Sequence, residues 1–184
     1  MLKKHEHELK KAKSDILELL KEGKDENWLT EAEFRAMNPT ELSPARFYQI
    51  FKVHKSHAPG SLPPGRPIIS GNGSITENIS RFIDFHVKGL VPDIDSYLQD
   101  TPHFLRCIQD LNDQGEIPPN AVLLTIDVSA LYTNIPTGEG LDALADFLEA
   151  RKDKSIPSDF IVKLMEKVLK LDIFEYDEKL FKQV

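Results

Sequence analysis

The chain has 184 residues, of which 40% are hydrophobic and 29% charged, as in ordinary globular proteins. The formal net charge is −7, a single cysteine excludes an internal disulfide, and no apolar run approaches the roughly 20 residues of a membrane span. These features predict an intracellular globular protein of one domain or slightly more, without membrane segments or a disulfide scaffold.

The N-terminal region, residues 1–45, is predicted to be a helical extension. Apolar residues recur at helical spacing over residues 2–22, and Gly23 follows at the position where a glycine commonly ends a helix. The remainder of the region is polar and interrupted by two prolines. Thr30 followed by Glu33 predicts the N-cap of a second, short helix.

Residues 46–70 predict two strands joined by a loop rich in Pro and Gly, which is the pattern of a β-hairpin. The surrounding window, residues 42–76, contains no Asp or Glu, and its basic residues are Arg46, Lys52, Lys55 and Arg66. A basic window in an acidic chain predicts a phosphate-binding surface, since guanidinium and ammonium groups bind phosphate oxygens. The alternative is a polar loop that happens to lack acidic residues.

Helical periodicity predicts most of the remaining chain to be helical. Predicted helices run from Ser74 to about Leu90, over 102–112, from Thr137 to about Arg151, and onward from Ser158. The last stretch alternates at Phe174 and Tyr176 before a turn, and this pattern predicts a second hairpin.

A short apolar run, Val122 to Ile126, is rich in β-branched residues and is followed by Asp127. This pattern predicts a short, buried central strand with a carboxylate at its C-terminal end. Because ligands collect at the C-terminal ends of strands in α/β sheets, Asp127 is a candidate metal ligand or catalytic acid. The alternative is a solvated or capping carboxylate.

Two blocks of the sequence resemble one known family. Residues 125–136, TIDVSALYTNIP, resemble motif A of reverse transcriptases in the form carried by Penelope-like retroelements. Residues 47–55, FYQIFKVHK, and residues 63–84, PPGRPIISGNGSITENISRFID, are similar to the fingers region of the same enzymes. The resemblance implies an α+β, helix-rich fold, with residues 46–120 as a fingers-like region and residues 121–184 as a partial palm.

The resemblance also implies roles for particular residues in RNA-directed DNA synthesis. Asp127 would be the catalytic residue and the ligand of Mg²⁺, and Val128 would add its carbonyl oxygen to the metal site. Tyr132 would lie below the incoming sugar. Arg66, and with a weaker match Lys55, would contact the triphosphate of the incoming nucleotide.

The partners implied by the resemblance are an RNA or DNA template–primer and deoxynucleoside triphosphates. The cations of the predicted hairpin, Lys52, Lys55 and Arg66, are the candidates to contact the nucleic acid. The family acts on nuclear DNA, although no clear localisation signal is present. The sequence reaches Val184 before the family's glycine-rich motif and its catalytic Asp-Asp pair, so a fragment inactive on its own is expected. The alternatives are a non-catalytic nucleic-acid-binding module and an interaction protein, with self-association through an exposed palm edge.

Overall fold

The computed structural model describes residues 2–129 and 131–183, without the side chains of residues 2–4, 132 and 133. The α-helices are α1 (Leu2–Asp25), α2 (Glu31–Met37), α3 (Glu77–Val87), α4 (Thr101–Asp113), α5 (Leu131–Asn134), α6 (Thr137–Glu149) and α7 (Ser158–Lys170). A 3₁₀-helix covers Lys88–Asp93, and the strands are β1 (Ala45–Phe51), β2 (Gly65–Ser70), β3 (Ile173–Tyr176) and β4 (Lys179–Lys182). The α+β class is therefore confirmed. None of the described helices combines the length and apolar character that crossing a membrane requires.

The chain forms two compact units, one made of Met1–Asp84 with Lys152–Val184 and the other of Phe85–Arg151. The first unit contains the four strands together with α1, α2 and α7, and the second contains α4, α5 and α6. These boundaries differ from those of the predicted regions 1–45, 46–120 and 121–184, which stay a prediction.

The four strands form one sheet in the order β2-β1-β3-β4. The pairs β1–β2 and β3–β4 are antiparallel, so both predicted hairpins are confirmed, and β1 joins them by pairing in parallel with β3. One face of the sheet packs on α1: Ile173 is buried there, and its cross-strand neighbour Lys182 lies 3.6 Å from the Glu8 carboxylate of α1.

The first helix continues through Gly23 to Asp25, so the predicted helix end at Gly23 is wrong. Gly23 is buried, and a Cβ atom at this position would lie 2.5 Å from Cζ of Phe160 in α7. The glycine therefore serves close helix packing. The helix ends at Asp25, and two residues later Asn27 adopts a φ of 58° while the Trp28 N–H donates to the Gly23 carbonyl over 2.8 Å.

The predicted buried strand at 122–126 is also wrong. Residues 121–128 have no regular secondary structure and form no strand with any residue that the structure describes, and the Val122 side chain is 89% exposed. An apolar run becomes a strand only where a second strand satisfies its backbone and covers its side chains. The periodicity of the run carries no information on whether that partner exists.

Candidate nucleic-acid interface

The β1–β2 hairpin extends beyond the rest of the sheet. Strand β1 pairs with β3 at Ala45 and Arg46, whereas its pairing with β2 continues to Phe51. The Lys52 N–H donates to the carbonyl of Pro64 over 2.8 Å, which lengthens the ladder by one step. The Lys55 N–H then donates to the Lys52 carbonyl over 2.9 Å and closes a turn. Backbone geometry thus positions both lysines at the hairpin tip.

A shallow pocket of about 340 Å³ lies at this tip, and its lining residues are Ile50, Phe51, Lys52, His54, Lys55 and Arg66. The structure therefore brings together all three residues predicted to bind nucleic acid. Arg66 lies directly opposite Ile50 in the ladder. Because Lys52 follows Ile50 by two positions, Lys52 and Arg66 share a face as diagonal neighbours, a relation that typically separates residues by about 7–8 Å. We name this pocket the tip pocket.

The tip pocket is strongly cationic. Lys55 and Arg66 are exposed and Lys52 is half-buried, and within the described chain none of the three forms an ion pair with a carboxylate. Cations without a protein counter-ion remain able to form charge-assisted hydrogen bonds with an incoming anion. The fourth basic residue of the window, Arg46, lies at the base of the hairpin, where its cross-strand neighbour is Glu175.

Sequence reasoning missed two members of the tip pocket, Ile50 and Phe51. The sequence feature that could have identified Ile50 and Phe51 is the alternation of side chains along the strand. Adjacent residues at the end of a hairpin strand point to opposite faces, so both can border a pocket at the tip. His54 also lines the pocket, and His57 places its Nδ1 atom 3.1 Å from the carbonyl oxygen of Lys55. A protonated imidazole here would add positive charge close to the lysines.

The residues predicted from motif A belong to the second unit. Asp127 and Val128 are exposed residues of the irregular stretch 121–128, and the Tyr132 side chain lies outside the described residues. Mg²⁺ requires near-octahedral coordination by several oxygen atoms. In the described part of the chain, no three His, Cys, Asp or Glu side chains group together as a metal site would require. Asp127 is therefore not part of such a group among the described residues, and these residues do not fit a complete magnesium site.

Comparison with known proteins finds no match to this chain among protein-family models, proteins of known function or solved structures. The likeness to Penelope-like reverse transcriptases thus depends on the motifs in residues 47–84 and 125–136.

Proposed function

We propose that the chain corresponds to the fingers and the start of the palm of a Penelope-like reverse transcriptase, and that its tip pocket contacts the phosphates of nucleic acid or of an incoming nucleotide. The observation that carries this proposal is the convergence of Lys52, Lys55 and Arg66 on one pocket whose described lining residues include no carboxylate. The resemblance assigns two of these residues, Arg66 and Lys55, to the triphosphate of an incoming nucleotide.

The chemistry of the tip pocket suits a phosphate ligand. Arg66 presents a planar guanidinium that can donate two parallel hydrogen bonds to phosphate oxygens, whereas each lysine supplies a point charge. A volume of about 340 Å³ lies at the lower end of the range for small-molecule sites, which accommodates a triphosphate. A nucleic-acid backbone running across the exposed tip would meet the same cations.

A second candidate function is a nucleic-acid-binding module that performs no polymerase chemistry. Within the described residues Asp127 belongs to no group of three metal-ligating side chains. This favours the second candidate, since polymerase catalysis uses two metal ions to hold the attacking and leaving oxygens. Both candidates require the tip pocket to bind phosphate, and they differ in whether Asp127 contributes to activity.

The first experiment measures fluorescence anisotropy of a labelled, primed RNA–DNA duplex with wild type and the K55A/R66A variant. We expect the variant to bind at least about tenfold more weakly, because each lost charge-assisted hydrogen bond contributes on the order of 1 kcal/mol or more. The matched control is K11A/K21A, which removes two exposed lysines from α1 and the same total charge. Equal affinity of wild type and K55A/R66A would refute the proposal.

A competition arm separates the two phosphate ligands. Inorganic tripolyphosphate added to the preformed duplex complex should displace the duplex if the tip pocket is a nucleotide site. If the pocket instead holds the nucleic-acid backbone, tripolyphosphate should weaken duplex binding only because it raises the ionic strength. A sodium chloride solution of the same ionic strength should then displace the duplex equally well.

A further inference from the structure

His54 is the member of the tip pocket whose charge can change near neutral pH. It lines the pocket together with Lys52, Lys55 and Arg66. The lysines and the arginine are charged throughout the physiological pH range, whereas a histidine side chain gains or loses its charge between about pH 5 and about pH 8. The positive charge that the pocket offers to an anion therefore depends on the protonation of His54.

The backbone of the hairpin tip places His54 among the cations. The Lys55 N–H donates to the Lys52 carbonyl over 2.9 Å, so residues 52–55 form a β-turn with His54 at its third position. The Lys52 N–H donates to the carbonyl of Pro64 over 2.8 Å, which ties this turn to the residue before β2. The turn thus holds His54 beside both lysines, at the end of the hairpin where Arg66 also lies.

The surroundings of His54 favour an anion from outside the chain over an internal counter-ion. The other lining residues are the two lysines, Arg66, Ile50 and Phe51, so the described lining of the tip pocket contains no carboxylate. Residues 42–76 also contain no Asp or Glu. A phosphate bound here would place its negative charge against the imidazole, and an opposite charge within about 4–6 Å favours the charged form.

We propose that His54 is a fourth phosphate-binding residue of the tip pocket and binds in its imidazolium form, so that affinity for nucleic acid rises as the pH falls. This inference rests on the proposed function, because it requires a phosphate in the tip pocket. Linkage fixes the sign: if the proton strengthens phosphate binding, bound phosphate strengthens proton binding by the same factor. Binding of a nucleic acid near neutral pH should therefore take up protons from the buffer.

His57, in the same loop, provides an internal comparison. Its Nδ1 atom lies 3.1 Å from the Lys55 carbonyl oxygen. Because a carbonyl oxygen only accepts hydrogen bonds, Nδ1 carries a hydrogen whether the imidazole is neutral or charged. His57 is outside the set of residues that line the tip pocket. A protonated His57 adds charge to the loop without lining the pocket, so the two histidines separate a pocket contact from general loop charge.

The test measures fluorescence anisotropy of the labelled, primed RNA–DNA duplex at about pH 8 and about pH 5.5, at one low ionic strength. Each backbone phosphate keeps one negative charge across this range, so the probe itself does not titrate. We expect wild type to bind about threefold to tenfold more tightly at the lower pH, which is the contribution of one exposed charge-assisted contact. H54Q should lose most of this change, because glutamine is polar and carries no charge.

Matched controls isolate the contribution of the pocket. H7Q removes an exposed histidine of α1, and H57Q removes the loop histidine outside the pocket. Both variants keep every carboxylate of wild type, and both should keep at least about half of the change in log affinity. H54K tests the charge itself: it should bind the duplex at about pH 8 at least as tightly as wild type binds at about pH 5.5.

Calorimetry supplies a readout that a purely structural role of His54 would not alter. Duplex titrations at about pH 6.5 in two buffers of different ionisation enthalpy should show proton uptake by wild type and less uptake by H54Q. The fluorescence of Trp28, whose ring lies 5.3 Å from Phe160, reports that each variant is folded at both pH values. An equal pH effect in wild type and H54Q would overturn the proposal, and so would a larger loss of the effect in H57Q than in H54Q.

The outcome for the proposed function is read separately, from K55A/R66A at about pH 8, where histidine is mostly neutral. If K55A/R66A binds more weakly than wild type and H54Q keeps the full pH effect, the proposed function stands and the role of His54 is refuted. If K55A/R66A binds as tightly as wild type at this pH, the proposed function itself fails, whatever pH effect H54Q shows.

Discussion

Replacing Gly23 by alanine tests the packing of α1 against α7. The new Cβ would lie 2.5 Å from Cζ of Phe160 and 3.1 Å from Cδ1 of Leu29, closer than side chains normally approach. Phe160 is 1% exposed and has no room to move aside. Overpacking of this kind typically costs about 1–3 kcal/mol, whereas alanine gains up to about 1 kcal/mol over glycine in a helix. The clash exceeds the propensity gain, so G23A should be destabilised by about 1 kcal/mol.

The assay is urea denaturation followed by Trp28 fluorescence, since this indole packs against Phe160. The control is G140A in α6, where the nearest atom to a new Cβ, Cγ2 of Ile135, lies at an ordinary 3.5 Å. G140A, followed by far-UV circular dichroism, should be stabilised by about 0.5–1 kcal/mol. In a double-mutant cycle, F160L should recover part of the loss in G23A. A G23A protein as stable as wild type would refute the reasoning.

Three further predictions concern single side chains. T30A removes the hydroxyl that caps α2, where it accepts the Glu33 N–H over 3.2 Å, and should lower the free energy of unfolding in urea by about 1 kcal/mol. Lys24, and then Arg35, hydrogen-bond the exposed Glu31 carboxylate and lower its pKa below the usual 4.5. This stabilisation is complete above pH 4.5 and is lost as the pH falls through the lowered pKa, so wild type should lose its stability advantage over E31Q in acid denaturation. In a primer-extension assay with Mg²⁺ the chain should not extend a primer on an RNA template. Primer extension that the D127A substitution abolishes would contradict this prediction.

The local elements were predictable because each depends on residues close together in the chain. The periodicity of residues 2–22 and of the stretch after Ser158 predicts α1 and α7, and the Pro- and Gly-rich loop predicts the β1–β2 hairpin. The N-cap at Thr30 is likewise a local signal, and the structure shows the reciprocal hydrogen bonds with Glu33. The grouping of Lys52, Lys55 and Arg66 follows from the pairing of β1 with β2 and from the backbone hydrogen bonds of Lys52 and Lys55 at the hairpin tip.

The features that sequence reasoning missed depend on contacts distant in the chain. Gly23 has the appearance of a helix terminator until Phe160 of α7 is known to pack against it. The joining of the two hairpins into one four-stranded sheet requires the parallel pairing of β1 with β3, which no local pattern encodes. The apolar run that begins at Val122 has the composition of a buried strand, and composition alone does not supply the partner strand.

The measurement that tests the central claim most directly is the salt dependence of duplex binding. Each phosphate contact contributes about 0.9 to the slope of log affinity against log salt concentration on a DNA duplex. If Lys55 and Arg66 each hold one phosphate, the slope for K55A/R66A should be shallower than wild type by about 1.8, while K11A/K21A keeps the wild-type slope. Equal slopes for wild type and K55A/R66A would contradict a phosphate-binding tip pocket.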